Sequence, residues 1–143
     1  MVIIDGIVFS IQRHGGITVY FQKLLDCLKQ HHVQATLVLE SPCKQEVRVS
    51  DESVSFIRRR AGFFERYRTC RIPQSASVFH SSYYRRPNDG NVPIVVTVHD
   101  FVYERHAKGP KRWVHMHQKH AAIRAAQAVI CVSEATRQDL MKF

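Results

Sequence analysis

Acidic residues are scarce in this chain: 12 Asp and Glu stand against 21 Lys and Arg in 143 residues, a formal charge of +9 with histidine neutral. The surface is positive even if every acid is paired, so an anionic partner is expected: nucleic acid, an anionic membrane face or a phosphorylated small molecule. Long apolar runs are missing too. The longest, such as Ala128 to Val132, cover about five residues, against the roughly 20 of a membrane-spanning helix. The start, Met1-Val2-Ile3-Ile4-Asp5, carries no basic leader and does not read as a secretory signal. Cys27, Cys43, Cys70 and Cys131 are far apart and form no C-x-x-C pair, which predicts reduced thiols in the cytoplasm. Cys27 and Cys131 sit in apolar runs and are expected in the core. Neither G-x-G-x-x-G nor G-x-x-x-x-G-K-[ST] occurs, which disfavours a dinucleotide fingerprint and a P-loop. No repeat or low-complexity tract is present. What remains, 45% hydrophobic and 23% charged residues, is the composition of one globular domain with a real core.

The apolar pattern alternates between two kinds of segment. Met1 to Ile4, Ala35 to Leu39, Val54 to Ile57, Ser77 to His80, Ile94 to Val98 and Ala128 to Val132 are short continuous runs that read as buried strands, with a short ribbon expected at Val47 to Val49. Ile17, Tyr20, Phe21, Leu24, Leu25 and Leu28 recur at helical spacing, up to His31-His32. Lys111 to Ala126 reads as a helix with Trp113, Met116, His120 and Ile123 on one face, and Ser133 as the N-cap of a last helix. Arg58 to Arg71 holds Arg58, Arg59, Arg60, Arg66, Arg68 and Arg71 among Phe63, Phe64 and Tyr67; on a helix the aromatics form one stripe. Strands without alternation, separated by helices, imply a mainly parallel sheet covered on both faces: a doubly wound, Rossmann-like α/β domain.

In such a sheet the ligand crevice lies beyond the carboxyl ends of the strands. Those ends deliver the loop from Asp5 to Gly16, the run His80-Ser81-Ser82-Tyr83-Tyr84-Arg85, then His99-Asp100, and Ser133-Glu134. Gly15-Gly16 stands before the first long helix. Residues without side chains let an anion approach helix N-terminal amides; the plainer reading is a turn that reverses the chain. His99 can hydrogen-bond a hydroxyl or phosphate oxygen, with Asp100 orienting it or holding a sugar hydroxyl, or it can simply satisfy loop carbonyls. His115, His117 and His120 do not share a face with a completing carboxylate, so no metal is expected. The basic aromatic segment has three readings: a core helix face with solvated arginines, a surface for anionic membrane, or a nucleic-acid surface.

Ile3-Ile4-Asp5-Gly6, Gly15-Gly16-Ile17 opening a helix, Val96-Thr97-Val98-His99-Asp100, and Ile130-Cys131-Val132-Ser133-Glu134 with Thr136 and Asp139-Leu140 together resemble the N-terminal half of family 4 retaining glycosyltransferases of the GT-B fold. Phe79-His80-Ser81-Ser82-Tyr83-Tyr84-Arg85 resembles the bacterial mannosyl- and rhamnosyltransferase-like members that build surface polysaccharide. The resemblance implies an acceptor-side domain whose glycine pair, Gly15 and Gly16, approaches a donor diphosphate or acceptor phosphate. It places His99 near the reacting sugar, with Asp100, Tyr83, Tyr84, Arg85, Ser133 and Glu134 as further substrate contacts. It implies a GDP-, UDP- or dTDP-linked sugar donor held by a C-terminal domain, a glycan or lipid-linked acceptor, and no metal or other cofactor. Front-face displacement requires no carboxylate nucleophile from this domain.

The family's donor site uses two glutamates separated by seven residues. Here Glu40, Glu46, Glu52, Glu65, Glu104 and Glu134 include no such pair. The chain, residues 1–143, is therefore expected to be a fragment or truncated product lacking the donor domain and inactive alone. Beside a polysaccharide-type resemblance, the concentration of charge at Arg58, Arg59, Arg60, Arg66 and Arg68 points to an anionic lipid surface, at the inner face of the cytoplasmic membrane, before nucleic acid. The alternative is a basic non-catalytic module that binds nucleic acid or nucleotide.

Overall fold

The computed structural model describes residues 1–45, 47, 53–106 and 108–143. The ribbon expected at Val47 to Val49 lies outside them but for Val47. Six strands form one sheet: β1 (Val2–Asp5), β2 (Ala35–Ser41), β3 (Val54–Arg60), β4 (Val78–Ser81), β5 (Ile94–Val98) and β6 (Ala128–Cys131). Their order is β3-β2-β1-β4-β5-β6, and every neighbouring pair is parallel. The chain builds outward from β1 to β3, then returns to lay β4 on the other side of β1. This reversal of direction makes the β1/β4 boundary the topological switch point, where the crevice of such sheets opens.

Successive strand residues face opposite sides, so the continuous apolar runs feed two cores. Ile4, Leu37 and Leu39 pack with Val8, Phe9, Phe21 and Leu25 of α1 (Val8–Ile11) and α2 (Gly16–Gln30). Ile3, Val38, Phe79, Val96 and Val98 pack on the other face with Phe101 and Ala122. That face is covered by α4 (Pro110–Ala125), preceded by the short α3 (Val102–His106). The last helix, α5 (Glu134–Lys142), begins where expected: Ser133 Oγ accepts from the Thr136 amide at 3.1 Å. Gly6 allows the close approach of β1 to β2, since a Cβ there would lie 2.6 Å from the Val38 carbonyl oxygen.

Four expectations are corrected. The connector from Asp5 to His14 contains α1. Cys27 is exposed and Cys131 only half-buried, whereas Cys70 is fully buried; Cys27 falls off the apolar stripe of α2, and helical phase outranks membership of a run. In α4 the buried residues are His115, Lys119 and Ala122, while Trp113 is 70% exposed. The phase is set by a buried ion pair: Lys119 Nζ lies 3.1 Å from Glu104 Oε1, with both side chains removed from solvent.

The fourth concerns Arg58 to Arg71, which is not a helix. Arg58, Arg59 and Arg60 extend β3, and beyond them only a short 3-10 turn forms at Glu65–Tyr67. Phe64 adopts a left-handed backbone, φ 59°, that interrupts any helix, and the Gly62 amide bonds Glu65 Oε2 at 3.0 Å. Phe63 and Phe64 are 84% and 68% exposed, so the aromatic stripe is not a core face.

Candidate functional site

The first two turns of α2 lie over the carboxyl ends of β4 and β5. Gly15 has an extended backbone, and its N–H and C=O both hydrogen-bond the Thr18 hydroxyl, at 3.1 and 2.9 Å. The next three amides, at Gly16, Ile17 and Thr18, have no backbone acceptor among the described residues, as at any helix start. Apart from the adjoining residues and the backbone of α2 itself, no atom of the described residues lies within 4 Å of where a Gly16 Cβ would stand. An anion or hydroxyl could therefore reach these amides, whose partial positive charge favours it.

One turn further along α2, Tyr20 meets His99 edge to face, with ring centroids 5.3 Å apart, and Phe21 meets His80 at 5.3 Å. His80 Nε2 is 2.8 Å from Thr97 Oγ1, which in turn donates to the Tyr20 hydroxyl at 3.4 Å. With Thr97 donating onward, the consistent tautomer has His80 donating from Nε2. Burial, with a smaller contribution from His99, pushes His80 down to about 4. His99 is also held below the ordinary histidine range by burial, with Asp100 opposing. Burial thus favours the neutral form of both rings. His99 Nε2 is buried and has no hydrogen-bond partner among the described residues. An orphaned buried polar atom is costly; this one is closed off from solvent beside Tyr20, so a bound hydroxyl or phosphate oxygen would reach it only once a neighbouring side chain moved.

The main chain of His99 is fixed from two directions. Thr136 Oγ1 donates to its carbonyl at 3.2 Å, and the Tyr84 hydroxyl reaches its backbone. Ser133 contributes by capping α5 and contacting Thr136 Oγ1 at 2.9 Å. Asp100 spends Oδ1 on the Val102 amide at 3.0 Å, starting α3, and its carbonyl accepts from Lys119. Glu134 is exposed and held by Arg137 through two contacts of 2.8 Å. Tyr83 is half-buried, with the Arg66 guanidinium 4.8 Å from its ring centre.

Arg85 departs furthest from expectation as a ligand contact. Its side chain is wholly buried, 3.5 Å from Asp5 Oδ1, 3.3 Å from Glu40 Oε1 and 3.2 Å from Glu65 Oε1. Three carboxylates from three distant elements hold the guanidinium away from solvent, so its role is to tie them together. Of the other basic residues, Arg58 lies over Phe56 and Arg66 also over Tyr67, while Arg59, Arg60 and Arg68 line a cavity treated below. Among the described residues no cluster of His, Cys, Asp and Glu has the makings of a metal site. His115 instead stacks on Tyr103 at 4.0 Å. A cavity of about 570 Å3 lies not at His99 but between the 3-10 turn and α4, bordered by Tyr67, Tyr84, Trp113, His117 and Gln118.

An all-parallel sheet with its crevice at the β1/β4 boundary and a histidine at the mouth of β5 is a common frame, and the sequence narrows it. The family model of Glycosyltransferase Family 4 matches residues 14–143. The chain belongs to that family. No curated protein and no solved structure is significantly similar to it. As a family 4 glycosyltransferase N-terminal domain, it has the fold of one half of a GT-B enzyme, and the general partners of the family are a nucleotide sugar and an acceptor. Among the described residues of this family 4 domain, no helix is long and apolar enough to cross a membrane.

Tyr20, Thr97 and Thr136 complete the surroundings of His99 in the domain, and sequence reading assigned none of them a place there. Tyr20 was legible only as part of the α2 stripe. That a stripe residue within the first two turns of a helix would overhang a strand end was the available signal.

Proposed function

We propose that this domain forms the acceptor side of a retaining glycosyltransferase, moving a sugar from a GDP-, UDP- or dTDP-linked donor to a glycan or lipid-linked acceptor. The finer reading is a bacterial mannosyl- or rhamnosyltransferase-like enzyme of surface polysaccharide, lipopolysaccharide or O-antigen synthesis. It works in the cytoplasm, at the inner face of the membrane. A donor-binding domain supplies the glutamate pair that this chain lacks, no metal is required, and this domain alone does not transfer sugar. The observation that carries the reading is the Nε2 of His99, buried and without a hydrogen-bond partner among the described residues, beside the open N-terminus of α2. A neutral imidazole there hydrogen-bonds a sugar hydroxyl, while the amides from Gly16 receive a phosphate oxygen. Tyr83, Asp100 and Ser133 border the acceptor; Tyr84 acts by positioning His99.

The test joins the chain to a donor-binding domain of the family and follows transfer of labelled sugar from each nucleotide sugar to a membrane-lipid extract. His99→Ala is expected to lower kcat by about 10²-fold, the scale of one lost transition-state hydrogen bond. Wild-type turnover in that variant removes His99 from the mechanism. Transfer by the chain without the second domain refutes the division of labour.

A further inference from the structure

Arginines that lie apart in sequence meet at a second cavity, of about 500 Å3, walled by Arg59, Arg60, Arg68 and Arg71 together with Glu40 and Glu65. Glu40 lies near the end of β2, and Arg59 and Arg60 close β3. The cavity thus opens at the carboxyl edge of the sheet, on the opposite side of β1 from His99. Its two carboxylates only partly offset its four arginines: both also face the buried Arg85, at 3.3 and 3.2 Å, and the lining stays net positive. Among the described residues Arg60, Arg68 and Arg71 make no ion pair. Arg59 is pinned to the wall by donating to the Arg71 carbonyl. Thr69 adds a hydroxyl to the lining.

We propose that this cavity binds a phosphate group, a phosphomonoester or diphosphate with at least two negative charges. Guanidinium forks pair with phosphate oxygens two at a time, and four of them around one recess, with their two acids shared with Arg85, select a compact multivalent anion. An extended polyanion would call for a stripe of charge along the surface, whereas here the groups converge. The same segment that contributes Arg68 carries the exposed Phe63 and Phe64. The phosphate therefore comes from a soluble molecule, or from a lipid headgroup with these rings inserted beside it. The site does not depend on the sugar-transfer reading, and it excludes Arg58 and Arg66, whose guanidinium groups lie over aromatic rings.

Calorimetric and amide NMR titration of the chain with inorganic pyrophosphate tests the proposal. Saturable one-to-one binding is expected, with shifts centred on residues 59–71, weakened tenfold or more by the double variant Arg60→Gln/Arg71→Gln. Both residues are exposed and make no ion pair among the described residues, so the fold is retained, as circular dichroism would verify. A control, Arg124→Gln/Lys142→Gln, removes the same charge elsewhere and should bind as wild type. Absence of saturable binding, or equal weakening in both variants, overturns the site. Vesicles of phosphatidylglycerol and phosphatidylcholine separate the sources. Displacement from them by pyrophosphate and release by Phe63→Ser/Phe64→Ser identify a lipid phosphate; pyrophosphate binding by a chain that ignores vesicles identifies a soluble one. Vesicle binding indifferent to both pyrophosphate and the arginine variant overturns the proposal.

Discussion

His80 should make the domain acid-sensitive in a window that can be worked out beforehand. It is 6% exposed, on β4 next to β1, and burial lowers it from 6.5 to about 4. The unfolded chain takes up this proton near pH 6.5, the folded chain only near pH 4. Between those values the unfolded state binds more protons, so stability rises with pH. The contribution of His80 is complete above pH 6.5 and is lost as the pH falls to about 4. At 1.36 kcal/mol per pH unit its ceiling is about 3 kcal/mol. Asp5 works in the opposite sense. Burial raises it from 3.8 to about 6 against the pull of Arg85, so in that interval the folded state holds the extra proton and stability falls with rising pH. The wild-type profile mixes the two, and a difference separates them. His80→Gln keeps an amide for Thr97 and does not titrate. Urea unfolding of both proteins from about pH 7 to about pH 4 should show the wild-type advantage largest at neutral pH and shrinking by up to ~3 kcal/mol toward acid. An advantage that does not change with pH refutes the buried neutral imidazole.

Two further substitutions test the frame around the crevice. Arg85→Met strands Asp5, Glu40 and Glu65 without their shared cation and should cost about 3–5 kcal/mol in urea unfolding, the usual penalty for breaking a buried ion pair from one side; wild-type stability would show that the three acids do not need it. Gly6→Ala drives a Cβ to 2.6 Å from a backbone oxygen and should cost about 1–3 kcal/mol, whereas Gly16→Ala meets open space and should leave the melting temperature essentially unchanged. Equal effects of the two alanines would refute the close approach of β1 to β2.

The strands and α2 were legible because their signals are local. Ile94 to Val98 is β5 to the residue, and the stripe from Ile17 to Leu28 needs only helical spacing. The face of α4 was not legible, because it is decided by a partner. Periodicity of apolar residues favours Trp113, Met116, His120 and Ile123, but Glu104 of α3 draws Lys119 inward and rotates the phase. The basic segment failed for a related reason. Its aromatics have helical spacing, yet Arg58, Arg59 and Arg60 are the end of β3, an edge strand whose charges guard against further pairing, and Glu65 is committed to Arg85.

His99 and Arg85 show which placements can be read from the sequence and which cannot. Both follow a strand closely and both were expected to face a ligand. For His99 the decisive features are near it in sequence or belong to elements already visible: β5 beneath, α2 above, Thr136 behind. Arg85 is decided by Asp5, Glu40 and Glu65, which only the strand order β3-β2-β1-β4 brings within reach. That placement has a consequence for both candidate sites. Asp5 leads into the loop that ends at Gly16, while Glu40 and Glu65 wall the arginine cavity. One buried guanidinium therefore ties the start of that loop to the two acids of the second cavity and shares its charge among all three carboxylates. Removing it should loosen the first and weaken anion binding at the second, where Glu40 and Glu65 would then compete directly for the surrounding arginines.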